Sequence, residues 1–240
     1  MQGSLSATQD QLAWVLTSYI VASAIMTLPI GWLSGRYGRK NVFVISIAGF
    51  TLTSLLCGAA SSLNEMIAFR ILQGLFGAAL VPLSQAIMLD INPKEEHGKA
   101  MAMWAVSIMI GPILGPTLGG FLTEYYSWRW VFYINLPFGL LAFSGIWLSV
   151  SETETRKVRF DIMGFAFLGL AIGAFQLMLD RGEQVQWFES FEIQLEGVLA
   201  LLGLYLFVIH SITRKDPFID PALFKDRNFV TGLVFIFVVG

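Results

Sequence analysis

The sequence predicts an all-α integral membrane protein, a polytopic helical bundle. Three observations carry this. Of the 240 residues, 55% are hydrophobic and 13% charged, where a soluble domain carries about 25% charged residues; mean hydropathy is +0.68. Apolar runs long enough to cross a bilayer, roughly 17–25 residues, recur with short polar breaks between them. Those breaks alternate in Lys and Arg content, as loops on the two sides of a membrane do.

Spans are expected near 12–33, 42–60, 66–89, 100–122, 131–150, 162–179 and 193–212. The basic breaks hold Arg36, Arg39 and Lys40, then Lys94 and Lys99, then Arg156, Lys157 and Arg159, then Arg214, Lys215, Lys225 and Arg227. The intervening breaks hold only Arg129 and Arg181. Positive-inside bias places the basic breaks in the cytoplasm, so the first eleven residues lie outside. An earlier helix preceding the chain is the simplest account of that. A last apolar run opens at Phe229 and is still apolar at Gly240, as if the chain were a piece of a longer one. The expected organisation is therefore a partial transmembrane bundle over 1–150, two linker spans with cytoplasmic loops over 151–228, and the start of a second bundle over 229–240.

Composition also excludes. A net charge of −2 and the lack of a basic tail or patch argue against a nucleic-acid partner. Cys57 is alone, so no intrachain disulfide is possible. His97 and His210 are isolated, with no paired metal-ligand spacing, nucleophile elbow or phosphate loop. No enzyme, metal or cofactor chemistry is expected.

Arg70 is the most informative residue. It falls four to five residues inside its span, roughly 6–8 Å deep at 1.5 Å per residue, where arginine costs several kcal/mol unless it meets protein, water or a partner. Gln73, Gly74, Gly77, Val81, Ser84 and Gln85 lie within about 60° of it at 100° per residue. This polar, small-residue stripe favours a water-filled pathway over snorkelling to the headgroups. In GWLSGRYGRK, Gly31, Gly35 and Gly38 permit a tight link, while Arg36, Arg39 and Lys40 anchor orientation. In GPILGPTLGG, Gly111, Gly115 and Gly119 share a face open to close helix approach, and Pro112 and Pro116 free the carbonyls of Ile108 and Pro112. That phase predicts a close-packed hinge or seam. WRWVFYINLPFG carries an interfacial belt of Trp128 and Trp130, with Tyr125 and Tyr126 just before it. Deeper in that span lie Asn135 and Pro137, and in MLDRG, Asp180 and Arg181 solvate a span end.

Together these stretches resemble the major facilitator superfamily, and within it the fourteen-span drug:proton antiporters of the EmrB/QacA type. The match runs through Gly31, Leu33, Arg36, Gly38, Arg39 and Lys40 of the loop motif; Arg70, Gln73, Gly74, Gly77 and Ala78 of the fourth-helix motif; and Gly111, Gly115, Pro116, Gly119 and Gly120 of the fifth-helix antiporter motif. WRWVFYINLPFG and MLDRG resemble the sixth-helix entry and the stretch after the seventh. One departure is Gly35, where the family's loop motif usually has an acid that helps latch the closed state. The resemblance implies helices two to eight and the start of nine, with 162–179 and 193–212 as the extra pair between the halves. It implies a multi-pass permease of the bacterial cytoplasmic (inner) membrane, driven by the proton gradient, exporting hydrophobic or amphiphilic drug-like substrates. Arg70 would couple protonation to substrate release, supported by Gln73 and Gly74, with gating in the cytoplasmic loop. Partners implied are the lipid bilayer and, by analogy with Gram-negative members, a periplasmic adaptor and an outer-membrane channel. The readings that compete with export are a metabolite permease of the same superfamily and a non-transporting fragment.

Overall fold

The computed structural model describes residues 2–156, 159–214 and 216–239; Lys157 and Lys215, two of the expected cytoplasmic cations, lie outside them. Among the described residues every regular element is helical. The chain forms two compact units, Met1–Val158 and Arg159–Gly240. Six helical stretches are long and apolar enough to cross a membrane, or seven if one bent pair counts as a span.

The first unit holds α1 (Gln2–Leu5), α2 (Gln9–Thr27), α3 (Ile30–Tyr37), α4 (Arg39–Ala59), α5 (Leu63–Gly77), α6 (Leu80–Asp90), α7 (His97–Tyr125), α8 (Trp130–Tyr133) and α9 (Asn135–Ser149). Local chemistry sets the starts. Thr8 and Gln11 form a reciprocal capping box on α2. The Ser62 hydroxyl accepts the Glu65 N–H at the start of α5.

Proline sets most of the breaks. The expected single span over 12–33 is instead α2 and α3, bent by 55°; Pro29 has no N–H with which to continue the α2 ladder. The breaks at 78–79 and at Ile134 each fall where a proline, Pro82 or Pro137, withdraws its donor from the carbonyl four residues back. Yet α7 runs unbroken through Pro112 and Pro116 for 29 residues.

The unit is built around α4. Along it, Ser46, Thr51, Thr53 and Ser54 are buried, and the hydroxyls of the last three are satisfied inside the protein where lipid offers no partner. Thr51 and Thr53 donate to carbonyls of α4 itself. Ser54 Oγ donates to the Phe132 carbonyl (2.9 Å) and accepts from Asn135 Nδ2 (3.0 Å), which gives Asn135 a structural role. A Cβ at Gly139 would overlap the Thr51 side chain, so a bare glycine lets α9 close on α4. Arg129 Nη1 donates to the carbonyls of Gly58 and Ala60, capping the outer end of α4.

An outer apolar cluster joins Leu5, Val15, Cys57, Ala60, Met66, Trp128 and Phe132. Trp128 is therefore not part of the interfacial belt: it is 9% exposed and its indole N–H donates to Ser4 Oγ at 2.9 Å. Tyr125, Tyr126 and Trp130 remain exposed. Spacing alone could not separate Trp128 from its neighbours, because the short helix α1 that covers it reads as a polar tail.

The second unit holds α10 (Ile162–Arg181), α11 (Phe191–Thr213) and α12 (Arg227–Val239). Small residues let α10 and α11 touch: a Cβ at Gly203 would stand 2.8 Å from the Ala171 nitrogen. At the end of α10, Arg181 pairs with Glu192 of α11, a partner the expected solvating role did not include. At the other end, Asp161 is 4% exposed and caps α10. Its carboxylate accepts from the Gly164 and Phe218 amides (3.1 and 3.0 Å), contacts His210 Nε2 (3.0 Å) and pairs with Arg214 (3.3 Å).

Burial works against the Asp161 carboxylate, but the Gly164 N–H, His210 and Arg214 outweigh it and hold Asp161 below the usual carboxylate range. Its contribution is therefore complete above the ordinary carboxylate pKa, about 4, and is lost only as pH falls through the lower folded value. At neutral pH, Asp161→Ala should speed hydrogen exchange at the Gly164 and Phe218 amides by about tenfold or more. Unchanged exchange at both would contradict the clamp.

Candidate functional site

Arg70 sits on α5, seven residues past Leu63, about 10 Å along the helix axis from its start. The side chain does not turn out to the headgroups. Its Nη1 donates to Gln73 Oε1 at 3.0 Å, one turn deeper on the same helix. The guanidinium carbon lies 4.7 Å from the Phe132 ring centroid and 5.4 Å from that of Tyr19, within cation–π range. Cys57 Sγ also meets Gln73 Oε1, at 3.6 Å. So four helices, α2, α4, α5 and α8, bring side chains to this site. Among the described residues no carboxylate lies within ion-pair distance of Arg70, and its buried Nε has no hydrogen-bond partner.

The stripe below Arg70 divides into parts. Gln73 is 1% exposed and Gly74 is buried. A Cβ at Gly74 would lie 2.5 Å from the Tyr19 carbonyl oxygen, so the backbones of α2 and α5 are in contact there. At Gly77 the same atom would press on Tyr19 Oη (3.1 Å) and Phe50 (3.2 Å). Further down, Val81 is exposed and Ser84 Oγ accepts the Trp104 indole N–H at 3.0 Å. Gln73, Gly74 and Gly77 thus build the helix contact that holds Arg70 in place.

The α3–α4 link is tied on several sides. Gly38 has φ 90°, a left-handed value that favours glycine, and it joins α3 to α4. Arg39 pairs with Asp90 at the end of α6. Arg36 stacks over Trp32 and Tyr37, and Lys40 over Trp147. The segment after α9 crosses the loop: Arg156 N–H donates to the Gly35 carbonyl (2.7 Å) and Arg39 N–H to Thr153 Oγ1 (3.1 Å). Gly31 and Gly35 have open space where a Cβ would stand.

The antiporter-motif residues lie apart from both. A Cβ at Gly111, Gly115, Gly119 or Gly120 would meet nothing within 4 Å among the described residues, and Ala100 is the one residue of α7 that is buried. Among the described residues the expected close-packed seam is not formed, and the face is open. Pro116 lies within the unbroken helix.

Tyr19, Cys57, Phe132, Asp90 and Thr153 were not legible as site residues. All come from elsewhere in the chain, and none has a helical spacing relation to the residue it meets. Asp90 alone gave a signal, as an acid ending a span opposite a basic loop. Gly74→Val should lower thermal stability in detergent by about 1–3 kcal/mol through overpacking against α2. Gly31→Ala, with space around it, should stay within about 0.5 kcal/mol of wild type. Equal effects would contradict the tight α2–α5 contact.

Residues 1–240 match the Major Facilitator Superfamily. The chain is 39% identical over 236 residues to the Multidrug export protein EmrB of Escherichia coli (strain K12), covering 98% of this chain and 46% of that protein. It is also 39% identical over 234 residues to the Fatty acid resistance protein FarB of Neisseria gonorrhoeae, covering 97% and 46%. The fold is similar to that of a bacterial homologue of the human lysosomal transporter Spinster in an inward-facing crystal structure. There the TM-score is 0.51 at 17% identity, over 86% of this chain and 54% of that one. The chain spans about half the length of the curated relatives it matches. With its membrane-length helices and its match over all 240 residues, the chain belongs to the major facilitator superfamily of transporters.

Proposed function

We propose that this chain forms part of the first bundle, together with the linker helix pair, of a proton-coupled exporter of hydrophobic or amphiphilic drug-like molecules in the bacterial cytoplasmic membrane. The observation that carries the reading is Arg70: a permanent charge inside a span, fixed by Gln73 and two aromatic rings, with no carboxylate within ion-pair distance among the described residues. A charge held this way biases the site toward anionic partners. A carboxylate elsewhere in the intact protein that pairs with it when ionised, and releases it when protonated, would link proton binding to conformation.

Export rather than uptake rests on the fifth-helix motif and on relatives named for multidrug export and fatty acid resistance. A fatty acid, the compound in the second of these names, is an amphiphile. In this reading the open face of α7, with Gly111, Gly115, Pro116, Gly119 and Gly120, meets the second bundle and seals the route against leak. Alternating access would follow from rocking of the two bundles around a midplane site. The proton gradient is the energy source, and no cofactor is needed. A periplasmic adaptor and an outer-membrane channel remain partners by family analogy.

The test uses the full-length protein in inverted vesicles. Drug addition should collapse an imposed pH gradient, and Arg70→Ala should cut that rate by at least about tenfold, the scale of a lost charged hydrogen bond. A robust signal unchanged by Arg70→Ala would remove Arg70 from coupling. Joint replacement of Gly115 and Pro116 by alanine should leave abundance normal and raise passive proton leak. Normal leak with normal export would sink the sealing role of α7.

A further inference from the structure

The loop motif of this chain has a glycine, Gly35, where the resemblance places an acid. A carboxylate nevertheless reaches the loop from elsewhere. Glu152 lies just beyond the end of α9, and its Oε1 accepts the Lys40 N–H (3.2 Å) while Oε2 accepts the Asn41 N–H (3.1 Å). These are first-turn amides of α4, which have no acceptor within their own helix. The positive end of the α4 dipole adds to the attraction. Gly38 makes the approach possible: its φ of 90° turns the chain into α4, and a Cβ there would overlap the Glu152 carboxylate.

The contact belongs to a strap. From the same segment, Thr153 accepts the Arg39 N–H and Arg156 donates to the Gly35 carbonyl. Residues 152–156 therefore bridge the end of α3 and the start of α4 through four hydrogen bonds. On its other side the strap continues from α9, which is fixed to α4 through Gly139 on Thr51 and Asn135 on Ser54.

We propose that Glu152 supplies the acid the loop lacks at Gly35 and latches the cytoplasmic gate, so that the α3–α4 link opens only when the segment after α9 lets go. This rests on the transport reading for its consequence, but not for its geometry. The Arg39–Asp90 pair holds the same loop to α6, so with Glu152 released the loop stays tethered on one side and swings from it.

The experiment uses inside-out vesicles bearing the full-length protein, with two readouts: the rate of trypsin cleavage at Arg39 and Lys40, and drug efflux. Glu152→Gln and Glu152→Ala should each speed cleavage about three- to tenfold, the scale set by loss of a helix cap, and should depress efflux at normal abundance. Adding Gly35→Asp to Glu152→Gln should return cleavage toward the wild-type rate, since Gly35 has room for a side chain. Wild-type cleavage rates in both single variants would overturn the proposal. So would faster cleavage with full efflux, or failure of Gly35→Asp to slow it. If the wild-type protein exports no drug, the cleavage rates still decide whether Glu152 latches the loop, and the transport reading is what fails.

Discussion

A bilayer offers no water to a buried polar group, so a charge or a backbone donor inside it must look to the protein for partners. Arg70 is the sharpest instance of that constraint here, and much of the first unit is arranged around it. Gln73 accepts its guanidinium, Phe132 and Tyr19 present ring faces to it, and Cys57 completes the shell around the Gln73 oxygen. Those side chains converge only because α2 and α5 touch through Gly74 and because Ser54 holds the Phe132 carbonyl to α4.

The same rule governs the quieter parts. The hydroxyls of Thr51, Thr53 and Ser54 on α4 are spent on carbonyls, the outer end of α4 is capped by Arg129, and its inner end by Glu152. Seen this way, α4 is a column satisfied at both ends by residues from outside itself, and the segments before and after α9 supply both caps. The face of α7 is the exception. Its glycines and prolines are in phase, yet among the described residues nothing stands within 4 Å of a Cβ placed at those glycines.

The spans and their alternation were legible because hydropathy and Lys/Arg bias are properties of short windows. Arg70 and its stripe were legible for the same reason: one charge in an apolar run, and a helical period. What surrounds them was not. Phe132 and Tyr19 are ordinary aromatics in apolar stretches, and no local pattern brings them to a guanidinium. Proline misled in both directions. Pro29 divides a span that reads as continuous, whereas Pro112 and Pro116 leave α7 whole. Glu152 was hidden for a plainer reason. An acid in a polar loop looks solvated until the fold lays it across another helix's first turn.

The central claim is that Arg70 acts through its fixed geometry and not merely through its charge. Arg70→Lys tests this, because lysine keeps the charge but lacks the planar fork that reaches Gln73 while lying over two rings. The measurement is the proton flux driven by an imposed drug gradient in proteoliposomes holding the full-length protein. In the wild type, drug leaving the lumen should acidify it. In Arg70→Lys, drug should move with little accompanying change in lumenal pH. Lumenal acidification at the wild-type ratio of protons to drug in Arg70→Lys would contradict the account.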